Sequence, residues 1–146
     1  MHFRVCVTAL LITWAGSMVI AQKVMTPEEL DKTMKKVGPA MQAAGKAVGS
    51  NSFAEAVKQL GIAKQGVNDS REFWVANKKD DAIQANKDVV AKIEAAEKLL
   101  SAPSPDAAAA TAAVKEVGGA CRTCHEKYRV RDADNNWVLK PGSIGG

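Results

Sequence analysis

From Thr26 onward, apolar residues recur at the three-to-four-residue spacing of helices, in four stretches separated by short polar breaks. The first opens at Thr26, with Pro27 at the first helical position and Glu29 placed to complete a capping box. It predicts a helix to about Val48, stopped by Gly49-Ser50-Asn51, with Pro39 removing one N–H and predicting a kink. Ser52 followed by Glu55 repeats the capping-box pattern, and Phe53, Ala56, Val57, Leu60, Ala63 and Val67 carry a second helix. Gly61 and Gly66 weaken it, but the pattern extends through Phe73 and Trp74 to about Ala76. The third helix spans about Asp80 to Leu100, with Ala82, Val89, Ile93, Ala96 and Leu100 on one face. Ser101-Ala102-Pro103-Ser104-Pro105 breaks the chain, and Ser104 is read as the cap of a fourth helix that runs to about Arg131. Connections this short predict an all-α fold, an up-down-up-down antiparallel four-helix bundle.

The two ends fall outside that pattern. Met1 to Arg4 is a short basic start, Val5 to Trp14 is apolar, and Val19-Ile20-Ala21 resembles a small-residue cleavage site. Residues 1–21 are therefore read as a secretory signal peptide. Their apolar run is shorter than the ~20 residues of a membrane span and is interrupted by Thr8, Thr13, Gly16 and Ser17. This division leaves residues 22–131 as the bundle and 132–146 as a C-terminal tail. The tail holds a turn at Asp134-Asn135-Asn136 and a short extended piece, Trp137-Val138-Leu139. Asp132, Asp134 and Asn136 imitate the start of a calcium loop, but the glycine and glutamate that such a loop needs are missing, so a solvated turn is expected.

Removing the signal changes the chemistry available. The full chain carries 20 basic and 16 acidic side chains, a net charge of +4; without Arg4 the balance is 19 against 16. A mild, dispersed positive charge does not make a nucleic-acid surface. His2 and Cys6 leave with the signal, so the exported chain keeps Cys121, Cys124 and His125, all within five residues.

Cys121-Arg122-Thr123-Cys124-His125 has the spacing of covalent haem c attachment: two thiols can join the two vinyl groups of one porphyrin, with the adjacent imidazole beneath the iron. On a helix, positions 121, 124 and 125 fall within an arc of about 100°. The competing readings lack partners. A structural zinc needs four ligands and three remain. A thioredoxin-like pair needs a βαβ setting that the pattern does not provide. One covalently attached haem c is the expected cofactor.

With the continuation His125-Glu126-Lys127-Tyr128-Arg129, attachment near the carboxyl end of a four-helix bundle resembles the class II cytochromes c, the cytochrome c prime superfamily. The resemblance covers the mature chain to about Arg131, is most specific from Gly118 to Arg129, and leaves the tail beyond the family's usual end. It implies His125 as proximal iron ligand and Arg129 as a basic residue near that ligand and the propionates. The second iron face decides the function. No second histidine survives export, so Met25, Met34 and Met41 are the candidates. With the fourth helix ending at Arg131, His125 lies ~9 Å from its end, and Met34 lies ~10 Å into the antiparallel first helix; the levels match. Met34-Lys35-Lys36-Val37-Gly38 is also similar to low-spin members of the family, in which a methionine four residues before a glycine ligates iron. A core-packing methionine is the plain alternative. Phe73, Trp74 and Tyr128 are expected near the same pocket.

Two functions follow from the sixth ligand. With Met34 on iron, the chain is an exported, periplasmic single-electron carrier that meets redox partner proteins. With an open distal face, it is a five-coordinate protein that binds or senses NO or CO. A third reading has the tail docking a larger redox complex. An enzyme is the least supported class, because no histidine is left for acid–base work once His125 ligates iron. No membrane span is expected after signal cleavage. Ala40, Ala44 and Ala47 would permit close helix contact in a homodimer.

Overall fold

The computed structural model describes residues 24–144; the signal-peptide reading, His2 and Cys6 lie outside the described residues. Four helices follow one another: α1 (Pro27–Gly49), α2 (Phe53–Ala76), α3 (Asp80–Leu100) and α4 (Ala107–Tyr128). Each packs against its neighbour in sequence, and α4 closes against α1, making the expected up-down-up-down bundle. A two-stranded antiparallel hairpin, β1 (Arg129–Arg131) and β2 (Trp137–Leu139), follows α4. No helix of the described residues is long and apolar enough to cross a membrane.

The Thr26 capping box forms as read: the Glu29 amide donates to the Thr26 hydroxyl at 3.2 Å, and the Thr26 amide donates to the Glu29 carboxylate at 2.9 Å. Helix α1 continues through Pro39 without ending. The other two expected caps differ. Ser52 makes no side-chain cap, because its hydroxyl accepts from Ser50 while Glu55 accepts from Gln59. Helix α4 is capped by Asp106, not Ser104. The Asp106 carboxylate accepts the Ala109 amide at 2.7 Å from an extended backbone, so the helix starts two residues later than Ser104 would start it.

The main core is made of small and branched side chains, among them Ala44, Ala56, Leu60, Ala63, Ile93, Ala96 and Val117. Ala40, Ala44 and Ala47, read as a dimer face, are buried inside this core and offer no surface to a second copy. At Gly66, α2 lies tight against α1: a Cβ there would lie 2.5 Å from Val37 Cγ2 and 3.5 Å from Thr33 Cγ2. A valine side chain within a helix has little rotamer freedom with which to yield. Gly66→Ala should therefore lower stability by about 1 kcal/mol, the overpacking outweighing the helix-propensity gain. At Gly61 the nearest atom to such a Cβ is a Glu97 carboxylate oxygen at 3.8 Å, so Gly61→Ala should raise stability by about 0.5–1 kcal/mol. Urea-unfolding midpoints moving in opposite directions would check both.

A second cluster sits at one end of the bundle: Leu30 from the start of α1, Phe73 and Trp74 from the end of α2, Ala82 from the start of α3 and Tyr128 from the end of α4. Leu139 and Ile144 pack against it, so the C-terminal segment is attached to the bundle instead of trailing from it. Helix α4 also ends at Tyr128, three residues before the expected Arg131. The chain turns extended at Arg129, and the Lys140 amide donates to the Tyr128 carbonyl at 2.9 Å, capturing a terminal acceptor of the helix.

Candidate haem-attachment site

A cavity of about 1060 Å³ opens beside this second cluster. Its walls include Cys121, Cys124 and His125 from α4 and Met34 and Met41 from α1. Trp74, Ser70, Asn86 and the β-hairpin complete the lining. That volume lies at the top of the ~300–1,000 Å³ range of small-molecule pockets, and the walls are predominantly apolar. Gly38 and Gly118 also border the cavity, and a Cβ on either would meet nothing within 4 Å. Room for a large ligand lies among the four helices and the hairpin.

The vertical levels can be set from contacts. Leu30 and Tyr128 share the end cluster, so they mark one level on α1 and α4. Met34 lies four residues further along α1, ~6 Å, and His125 lies three residues back along α4, ~4.5 Å. The shorter α4 moves both reference points, yet Met34 and His125 remain at matching depth. Met34 packs against both core clusters and joins Cys124 in the end cluster; Met41, ~10 Å deeper, packs with Cys121 against the main core. Met25 packs against the end cluster.

Both cysteines are free and half-buried. Burial pushes the Cys121 thiol up; burial first, then the charges of Asp81 and Cys121, push Cys124 up to about 11. They stay protonated thiols at neutral pH. His125 moves the other way: burial first, then the Arg129 guanidinium, lowers its pKa and favours the neutral imidazole, the form that binds metal. Among the described residues no three His, Cys, Asp or Glu side chains gather into a metal cluster, so Cys121, Cys124 and His125 line one cavity without forming a chelate.

Phe73 and Trp74 lie at this end as expected, but divide the work. Phe73 is buried behind Trp74, its ring centroid 5.0 Å away in an edge-on contact, while Trp74 reaches the cavity wall. Tyr128 packs on Trp74 at 4.8 Å and donates its hydroxyl to Asp81 at 2.7 Å, and Lys127 donates to the same carboxylate at 2.5 Å. Asp81, which the sequence reading passed over, thus ties the start of α3 to the end of α4. The hydrogen bonds from Lys127 and then Tyr128 lower its pKa to about 2. A depressed carboxylate stabilises the fold fully above its unfolded pKa of ~3.9, and that contribution disappears as pH falls through about 2. Asp81→Asn should flatten the acid limb of the melting temperature between pH 4 and 2, as thermal melts across that interval would reveal.

A buried polar pair was also missed. Asn86 Nδ2 donates to the Val67 carbonyl at 2.6 Å and to Ser70 Oγ at 2.9 Å, and Ser70 Oγ donates to the same carbonyl at 2.7 Å. Both side chains face the apolar cavity lining while sharing one backbone acceptor. The available signal was positional: Asn86 interrupts the stripe of Ala82, Val89 and Ile93, and Ser70 interrupts that of Ala63, Val67 and Trp74.

In the tail, Asp132 Oδ1 accepts the amides of Asp134 and Asn136 at 3.0 and 2.8 Å, forming a local turn. Asn135 adopts the left-handed φ of 63° that this turn requires. Arg129 reaches the cavity wall with its Nε buried and without a hydrogen-bond partner among the described residues. An unsatisfied cationic donor beside an apolar cavity fits an anionic group on the ligand. No family model, curated protein or solved structure matches this chain.

Proposed function

We propose that the chain is an exported c-type cytochrome with one covalently attached haem, carrying single electrons between protein partners in the periplasm. The observation that supports it most is the single cavity onto which Cys121, Cys124, His125 and Met34 all open. When bound, haem supplies an iron centre that gains and loses one electron. Cys121 and Cys124 would anchor the porphyrin through thioethers, so the group could not be lost outside the cell. His125 would hold iron from α4 through its neutral imidazole, and Met34 would hold the opposite face from α1. With both side chains fixed on packed helices, little rearrangement would accompany electron transfer, and a thioether ligand would favour the reduced state. Trp74 and Tyr128 close the apolar wall and exclude water, and Arg129 would offer its unpartnered Nε to the carboxylates of the group.

A gas-binding haem protein is the second reading, favoured by the room around Met34. The two separate in one experiment. The reduced, matured protein should give a six-coordinate low-spin spectrum and bind carbon monoxide slowly. Rapid saturation by micromolar gas would transfer the assignment to gas binding, and colourless material from a host that matures such cytochromes would remove both.

A further inference from the structure

The β-hairpin carries a feature that the bundle does not explain. β1 pairs with β2 in the register Arg129↔Leu139, Val130↔Val138 and Arg131↔Trp137. Arg129 and Arg131, two residues apart, project to the same side of their strand. Both guanidinium carbons lie 3.9 Å from the Trp137 ring centroid. Neither arginine has an ion pair among the described residues; Arg131 donates one N–H to the Asn135 carbonyl, and Arg129 keeps its buried Nε unpartnered. Of the carboxylates around them, Asp132 is engaged in its own turn and Asp31 with Lys35 at 2.6 Å, while Glu28 on the cavity wall and Glu126, which shares a smaller pocket with Arg129 and Trp137, form no ion pair with either arginine. Two like charges on one indole repel each other, an arrangement that an anion bound to both would relieve. Arg129, Arg131 and Trp137 all line the large cavity.

We propose that the hairpin is a carboxylate clamp for the two propionates of the porphyrin, with Arg131 as the added binding residue and Trp137 as the positioning residue that fixes both guanidiniums. The inference rests on the haem reading and extends it to residues beyond the end of the bundle. A porphyrin anchored through its vinyl groups presents two carboxylates on its opposite edge. Planar guanidiniums, each with several donors, match carboxylate geometry better than lysine ammoniums do. A side chain that merely packed against the ring system would be indifferent to whether those carboxylates carry charge.

The test titrates the reduced, unloaded full chain with iron protoporphyrin and, separately, with its dimethyl ester, following the Soret band. The wild-type chain should bind the diacid at least about tenfold more tightly than the ester, the scale of one charge-assisted hydrogen bond. Arg131→Gln should bring that ratio towards one while leaving ester binding unchanged, Arg131→Lys should restore part of it, and Trp137→Ala, which also removes part of the cavity wall, should lower the ratio as well. Helical circular dichroism checks that each variant is folded; Arg131 is exposed, and its replacement leaves the core intact. A wild-type ratio near one, or an unchanged ratio in both variants, would overturn the clamp and leave the haem reading standing. Uptake of neither porphyrin would also overturn it, and the pigment of matured protein then judges the haem reading on its own.

Discussion

Matured in a host equipped for c-type cytochromes, the wild-type chain should keep all its pigment in acidified acetone, and the Cys121→Ala/Cys124→Ala variant should lose nearly all of it. The expectation follows from bond type. A thioether is covalent and indifferent to pH, whereas a His125–iron bond would depend on a neutral imidazole. His125 already has its pKa lowered by burial and by Arg129, but strong acid protonates it and releases any group held by that bond alone. Each single cysteine variant should retain its colour through the remaining thioether. Replacing either cysteine removes a half-buried side chain at the cavity wall, where space already exists, so the bundle should survive. Retention of pigment by the double variant would mean that the two thiols are not the anchors. Helical circular dichroism on the same samples separates lost attachment from lost fold.

The bundle was legible because its signals are local. Thr26, Pro27 and Glu29 satisfy the first amides of α1 whatever the rest of the chain does, and the apolar stripes of α1 to α3 need only the helical period. The misses are of two kinds. Ser104 and Asp106 are both good caps two residues apart, and local pattern alone does not rank them; the Asp106 carboxylate prevails by reaching the Ala109 amide. The end of α4 was harder to read. No glycine or proline stops the helix at Tyr128, and the stop comes from pairing Arg129–Arg131 with Trp137–Leu139, a contact across a turn. The turn and the extended piece Trp137–Leu139 were read from the sequence, but Arg129–Arg131 was taken as the last helical turn, because a three-residue strand has no period of its own and is defined only by its partner. The attachment motif stood out by spacing alone. The cavity that gives it meaning needed four helices to be assembled, since Met34 and His125 are 91 positions apart in sequence.

Met34→Ala should convert a low-spin six-coordinate spectrum to a high-spin five-coordinate one and accelerate carbon monoxide binding, while Met41→Ala should change neither. Both methionines are half-buried on α1 and line the same cavity, so each truncation removes comparable packing, about 2 kcal/mol. They differ in level. Met34 packs against the end cluster as Cys124 does, at the depth of His125, whereas Met41 packs against the main core alone. A bond that keeps the iron face closed by about 3 kcal/mol leaves it open roughly one part in a hundred, and removing that bond raises apparent gas affinity about a hundredfold. A packing methionine has no such lever: its loss would lower the melting temperature and leave the spin state alone. If Met41→Ala altered the spectrum and Met34→Ala did not, the ligand would belong to the deeper position, and the depth argument from Leu30 and Tyr128 would fail with it. If neither did, the distal face is open in the native protein, and the same cavity would serve a gas rather than an electron.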